Sequence, residues 1–245
     1  MRIGLIIPSS NRMVEQEMVR HLPPGVTTHV ARLRMTGAHR VGIDELLPRL
    51  AEAAATLVDA RCDVVAFHCT ANSMAEGPAG DAKLVATLRQ AGAPRTTTTA
   101  SAIRAALDAS SARRIVLITP YTQQTTDHEA EFLRSAGYEV LVARGFALEG
   151  SDEYCGTPAS FWRDRAIEAA RPDADCYLIS CANISTFPVI EAIEQKLGRP
   201  VVSSNQAVIF DALRLLGMAD RRNCPGRVFR TLSENAATAA VAGRA

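Results

Sequence analysis

Short unbroken apolar runs alternate along this chain with longer stretches in which apolar residues recur every three or four positions. The first kind reads as buried parallel strands and the second as helices that cover them. Residues 3–7 form the first run. Pro8-Ser9-Ser10-Asn11 closes it, and Ser10 or Asn11 is placed to cap a helix reaching about residue 22. Pro23-Pro24-Gly25 ends that helix, and residues 26–33 alternate as a second strand. Residues 44–60 carry Leu46, Leu47, Leu50, Ala54, Leu57 and Val58 at helical spacing and lead into the strand Val64–Phe67. A helix over 82–90, a strand over 94–98 and a helix over 101–109 follow. After a polar linker at 110–114, Ile115 opens a second series: strands at 115–119, 138–143, 177–179 and 201–202, and helices at 127–135, 158–170, 187–197 and 207–215.

The second series repeats the first. Cys69 and Cys181 stand 112 positions apart, as do Asp63 and Asp175, which open the apolar runs before them, and Pro8 and Pro120, which close two others. The threonines at 96–99 look like low complexity but match residues 201–205, so they read as structure. Repeats of this length are two halves of one fold or two small domains. The expected architecture is therefore α/β: two similar doubly wound parallel-sheet halves, residues 1–110 and 111–217, related by a pseudo-twofold. Residues 218–245 are expected to pack back on the first half as a terminal helix or to fray.

Composition narrows the function. The 245 residues carry a net charge of +1, which supplies no attraction to nucleic acid or to an anionic membrane surface. No apolar run approaches the roughly 20 residues of a bilayer span, and the N-terminus enters a strand without a signal-peptide pattern. A cytoplasmic protein is expected. Its six cysteines, at 62, 69, 155, 176, 181 and 224, have no C-x-x-C spacing, so neither a zinc site nor a redox motif is predicted. Without metal-ligand spacing or a phosphate-binding glycine loop, no cofactor is expected.

Ligands of open parallel sheets bind beyond the carboxyl ends of the strands, where residues 8–11, 69–72, 120–122 and 181–185 fall. Across a cleft between the halves, Cys69 and Cys181 would face one another and act on opposite faces of one small substrate. A strand-end cysteine is more often a small buried hydrophobe, and Cys62, Cys155, Cys176 and Cys224 are read that way; two at matched positions favour chemistry. His68 precedes Cys69, but adjacent strand residues point to opposite faces, so it should meet a flanking helix or loop. Tyr121 should direct its hydroxyl into the cleft. Asn11 is either a substrate ligand or only a helix cap.

Pro8-Ser9-Ser10-Asn11, His68-Cys69-Thr70-Ala71, Thr119-Pro120-Tyr121 and Cys181-Ala182-Asn183, in this order and spacing, resemble the aspartate/glutamate racemase superfamily, nearest its maleate cis-trans isomerase and arylmalonate decarboxylase branch. The resemblance spans nearly the whole chain. It implies an active site in the cleft and a cofactor-independent isomerase that converts maleate or a close dicarboxylate to fumarate. Cys69 would be the nucleophile and Cys181 the proton carrier. Asn11 and Tyr121 would hold substrate carboxylates, and Thr70, Ala71, Thr122, Ala182 and Asn183 would line the site as donors. It also implies a homodimer. Decarboxylases of the branch keep only the second cysteine, with glycine at the first, which disfavours decarboxylation here. One departure stands out: the maleate isomerases' further substrate-binding asparagine falls where this chain has Gly150-Ser151-Asp152-Glu153, so either the loop shifts or the substrate differs from maleate. A two-cysteine racemase or epimerase of a small amino or hydroxy acid is the alternative, and a small-acid binding module the third reading.

Overall fold

The computed structural model of the protein describes residues 1–35, 41–219 and 223–232. In the first half, β1 (Arg2–Pro8), β2 (Thr27–Leu33), β3 (Val64–Phe67) and β4 (Thr96–Thr98) form a parallel sheet in the order β2-β1-β3-β4. Connecting and covering them are α1 (Val14–His21), α2 (Ile43–Asp59), α3 (Thr70–Met74), α4 (Gly77–Gln90) and α5 (Thr99–Ala109). The second half repeats the plan with β5 (Arg114–Thr119), β6 (Glu139–Gly145), β7 (Cys176–Ile179) and β8 (Val201–Ser203) in the order β6-β5-β7-β8. Its helices are α6 (Gln123–Ser135), α7 (Gly150–Gly156), α8 (Ala159–Glu168), α9 (Ile190–Leu197) and α10 (Ser204–Leu215).

The sequence repeat is also a repeat of strand pairing. Ile3 lies opposite Val64 in the first sheet and Ile115 opposite Cys176 in the second, each pair displaced by the same 112 positions. The aspartates that open the two runs explain part of this register. Arg2 N–H donates to Asp63 Oδ2 at 2.7 Å and Arg114 N–H to Asp175 Oδ2 at 2.8 Å, tying the starts of the paired central strands. Every residue of β3 and β7 is buried, as strands covered on both faces must be.

Threonine and serine at the ends of the short fourth strands start the next helices. Thr98 accepts from Ser101 N–H to begin α5; Ser203 forms a capping box with Gln206 to begin α10. The threonine tract is thus a strand and a helix cap. One apolar cluster runs from Leu5 through Ile103 and Leu107 of α5 and Val208 and Leu213 of α10 to Leu117. The halves therefore share a core, and burial of each such side chain contributes about 1.5–3 kcal/mol. That shared core fixes the distance across the cleft.

Two short helices were not expected. α3 has five residues and α7 seven, too few for a period to show in sequence. The segment 223–232 touches both halves. Arg227 N–H donates to Glu194 Oε1 at 3.0 Å, Gln206 Nε2 donates to Pro225 O at 2.8 Å, and Phe229 packs on Phe210. It meets the first half at His21, whose Nδ1 is 2.7 Å from Asn223 O. Residues 220–222 and 233–245 of the expected terminal helix lie outside the described residues. No described helix is long and apolar enough to cross a membrane.

Candidate active site

The carboxyl ends of both sheets meet at one cavity, about 500 Å³ when the space open to solvent at its mouth is counted. Pro8 ends β1 and Ser10 and Asn11 follow it, Met35 follows β2, Cys69 to Asn72 follow β3, Tyr121 follows β5, and Cys181 to Asn183 follow β7. Ser151 and Tyr154 reach it from α7. Both matched thiols therefore line the same space. Cys69 stands in an extended conformation immediately before α3, and its Sγ lies 3.7 Å from Asn72 Oδ1. Cys181 Sγ accepts from Asn183 N–H at 3.3 Å and from the Tyr121 hydroxyl.

Burial dominates the electrostatics. It pushes the Cys69 thiol up to about 11, against the stabilising Asn72 N–H, and the Cys181 thiol up to about 12, against its bonds from Tyr121 and Asn183. Burial, and then charge on Cys181 and Glu129, raises the Tyr121 phenol well above its usual range. At neutral pH both thiols carry their protons. No arginine, lysine or histidine is among the described residues that line the cavity; what those residues offer an anion is hydrogen-bond donors.

The loops after β1 and β7 clasp each other. Asn11 Nδ2 donates to Ala182 O at 2.9 Å, while Asn183 Oδ1 accepts from Arg12 N–H at 2.9 Å and Asn183 Nδ2 donates to Ser10 O at 3.4 Å. Asn11 Oδ1 also accepts from Met13 and Val14 N–H at 3.1 and 3.0 Å, so it starts α1 as a cap while lining the cavity. Thr70 and Ala71 open α3 on the cavity wall, and the Thr70 hydroxyl donates to Ser204 Oγ at 3.0 Å. Thr122 does not line the cavity. It is exposed and its hydroxyl accepts from Thr125 N–H to cap α6.

His68 turns away from the thiols, as strand alternation requires. Fully buried, it places Nδ1 2.9 Å from Thr99 Oγ1 and Nε2 2.9 Å from Asn205 Oδ1, and burial lowers it to about 4. The Asn205 amide also donates to Glu17, so its oxygen faces His68 and the imidazole is neutral with its proton on Nε2. No three-residue metal-binding group occurs among the described residues. Cys62 and Cys176 pack in apolar clusters as expected, and Cys224 packs beside one with Sγ 3.0 Å from His21 O. Cys155 is different: half-buried on α7, its Sγ lies 3.1 Å from Asn183 Oδ1 at the rim of the site.

The acidic loop does not confront the cavity. Asp152 extends into solvent, its side chain 92% exposed, and pairs with Arg12 Nη2 at 2.6 Å, while its neighbour Ser151 lines the cleft. Three lining residues fall outside the strand-end segments that the sequence marked: Met35, Ser151 and Tyr154. Tyr154 carries the most chemistry. It is 4% exposed, stands edge-on to Tyr121 with centroids 5.8 Å apart, and its hydroxyl has no hydrogen-bond partner among the described residues. Its only signal was an aromatic within a seven-residue helix too short to recognise. Tyr154→Phe should leave thermal stability unchanged or slightly higher, since no bond is lost. If the hydroxyl receives substrate, KM should rise about threefold to tenfold, the worth of one net hydrogen bond. An unchanged KM would make Tyr154 a wall residue.

The family model for arylmalonate decarboxylase matches residues 3–229. The chain is 31% identical over 231 residues to the arylmalonate decarboxylase of Bordetella bronchiseptica, covering 93% of this chain and 95% of that one. It is 27% identical over 235 residues to the maleate isomerase of Geobacillus stearothermophilus, covering 89% and 92%. Its structure superposes with a TM-score of 0.85 on a cysteine-to-serine mutant of the Nocardia farcinica maleate cis-trans isomerase that carries a covalently bound succinylcysteine intermediate. Identity there is 25%, over 94% of this chain and 98% of that one. The two-sheet fold, the cleft at the strand ends and these matches along its length agree: the chain belongs to the arylmalonate decarboxylase family, which it shares with maleate isomerases.

Proposed function

We propose that the protein is a cofactor-independent cis-trans isomerase that converts maleate, or a close dicarboxylate, to fumarate through a covalent adduct on Cys69. The observation that carries this reading is the pair of matched thiols, Cys69 and Cys181, on one cavity. The succinylcysteine held by the related Nocardia farcinica enzyme supports it. Cys69 is also the residue that separates the reading from decarboxylation.

In this reaction the Cys69 thiolate adds to one alkene carbon, a soft nucleophile on a conjugated acceptor. The π electrons move onto the neighbouring carbon and its carboxylate, and Cys181 delivers a proton there. The carbon–carbon bond is then single and turns. Cys181 takes the proton back, the carbon–sulfur bond breaks, and fumarate leaves with both sulfurs restored. Thr70 and Ala71 at the start of α3, together with Ala182, offer backbone N–H groups to the carboxylate that holds the excess charge. Tyr121, which bonds Cys181, orients that thiol, and Asn11 with Asn183 holds the two walls together. Thr122, facing solvent, has no part.

A proton NMR time course with maleate tests the reading: the maleate vinyl signal should fall as that of fumarate grows. If maleate is untouched while solvent deuterium washes into the α-carbon of a chiral amino or hydroxy acid, the protein is a two-base racemase.

A further inference from the structure

Two buried glutamates occupy matched places in the repeat. Glu17 on α1 and Glu129 on α6 stand 112 positions apart, the spacing of Cys69 and Cys181. Each reaches the residue that precedes a cleft thiol. Glu17 accepts from Asn205 Nδ2, and Asn205 Oδ1 meets His68 Nε2; Glu129 Oε2 accepts directly from Ser180 Oγ at 2.7 Å. The reaction described above uses neither acid.

Equal in place, they differ in reach. Asn205 and His68 separate Glu17 from Cys69, and its charge affects neither thiol. A negative charge on Glu129 opposes ionisation of Cys69, Cys181, Tyr121 and Tyr154 alike. Glu129 is 2% exposed, and its Oε1 has no hydrogen-bond partner among the described residues. Burial raises this carboxyl to about 8, opposed only by the bond from Ser180. The ionisable groups toward the cleft are therefore Cys69, Cys181, Tyr121 and Tyr154. On the other packed elements, α4 holds Asp81 in bonds from Thr98 and Ser101 and exposes Glu76 before it with Lys83 and Arg89, while β6 exposes Glu139 and Arg144. On α6 itself Asp127, His128, Glu131 and Arg134 are exposed. Among the described residues, no cation compensates Glu129.

We propose that Glu129 is a positioning acid of the cleft: its proton keeps the cavity neutral enough for a thiolate and an anionic substrate, and its ionisation disfavours both. The physical cause is direct. Charges that share a buried site interact far more strongly than in water, and one carboxylate, one thiolate and a bound anion would place at least three negative charges where the described residues supply no cation. The thiolate half stands independently of the reaction; the substrate half rests on the isomerase reading.

The test is alkylation of the full-length protein by iodoacetamide from pH 6 to 10, read at the Cys69 peptide by mass spectrometry. In the wild type, the rate should rise with pH as thiolate forms and then bend downward from that slope near pH 8. Glu129→Gln, which still accepts from Ser180, should lose the bend and react about fivefold to tenfold faster at pH 9. Glu129→Asp should restore it. Glu17→Gln should keep the wild-type profile, which a merely structural role for buried acids would not distinguish. Profiles of wild type and Glu129→Gln that coincide throughout would overturn the proposal. Should Glu129→Gln not fold, a wild-type profile without the bend overturns it equally. With maleate as substrate, wild-type KM should climb above pH 8 while that of Glu129→Gln stays flat; a flat wild-type KM overturns the substrate half. If maleate is not turned over, the isomerase reading fails and the alkylation result still decides the role of Glu129.

Discussion

Alanine in place of either Cys69 or Cys181 should lower maleate turnover by about a hundredfold or more, the usual cost of removing a nucleophile or a positioned proton carrier, without changing the circular dichroism spectrum. Both sulfurs line the cavity; Cys181 also belongs to an apolar cluster and Cys69 packs against another, but Cys→Ala removes little volume from either. The two variants should differ in what they leave behind. Without Cys181, Cys69 can still add to the double bond, and a solvent proton can trap the product, so peptide mapping after incubation with maleate should find added mass on the Cys69 peptide. Cys69→Ala should carry none. More than a tenth of wild-type turnover in either variant would remove that thiol from the mechanism. Because burial holds Cys69 near 11 and Cys181 near 12, their protonated forms dominate at neutral pH. Raising the pH therefore increases the Cys69 thiolate fraction about tenfold per unit until other groups intervene.

Asn11→Ala should destabilise the protein by about 2–4 kcal/mol, measured by urea unfolding. The change removes the oxygen that starts α1, a loss of about 1 kcal/mol. It also leaves the buried Ala182 carbonyl without its donor, at about 1–3 kcal/mol, and the clasp between the β1 and β7 loops loses one of its bonds. Asn11→Asp separates the two causes. A carboxylate still accepts from Met13 and Val14 N–H but cannot donate to Ala182, and it puts a negative charge into a cavity whose described lining has no cation. This variant should recover most of the helix-cap stability and still bind an anionic substrate poorly. Equal stability of Asn11→Ala and wild type would show that neither bond matters to folding.

Much of the fold was legible because it is periodic. Apolar runs of four to seven residues can be short and unbroken only when both faces of a strand are covered, which makes β1, β3, β5 and β7 visible and their 112-residue repeat countable. The same repeat pointed to Cys69 and Cys181 as candidates, since placement beyond a strand end is local information. Side-chain alternation in an extended strand likewise sent His68 away from the cleft. Thr122 was misplaced because adjacency to Tyr121 says nothing about direction: its hydroxyl is taken by the first turn of α6.

What only the tertiary structure decided is how residues distant in sequence share space. α7 brings Tyr154 to the cavity and Cys155 to its rim, and seven residues carry too little periodicity to announce a helix. Asp152 looked like a charge opposed to an anionic substrate until Arg12, 140 positions away, was seen to hold it outside. Glu17 and Glu129 were invisible as a pair because a lone glutamate on a helix is ordinarily solvated; only packing against Asn205 and Ser180 removes water from them. The residue types and their repeat come from local chemistry, whereas burial, ionisation and the pairing of one loop with another are properties of the assembled core. A pKa depends on what surrounds a group from every side, and the order of residues along the chain specifies neighbours on only two.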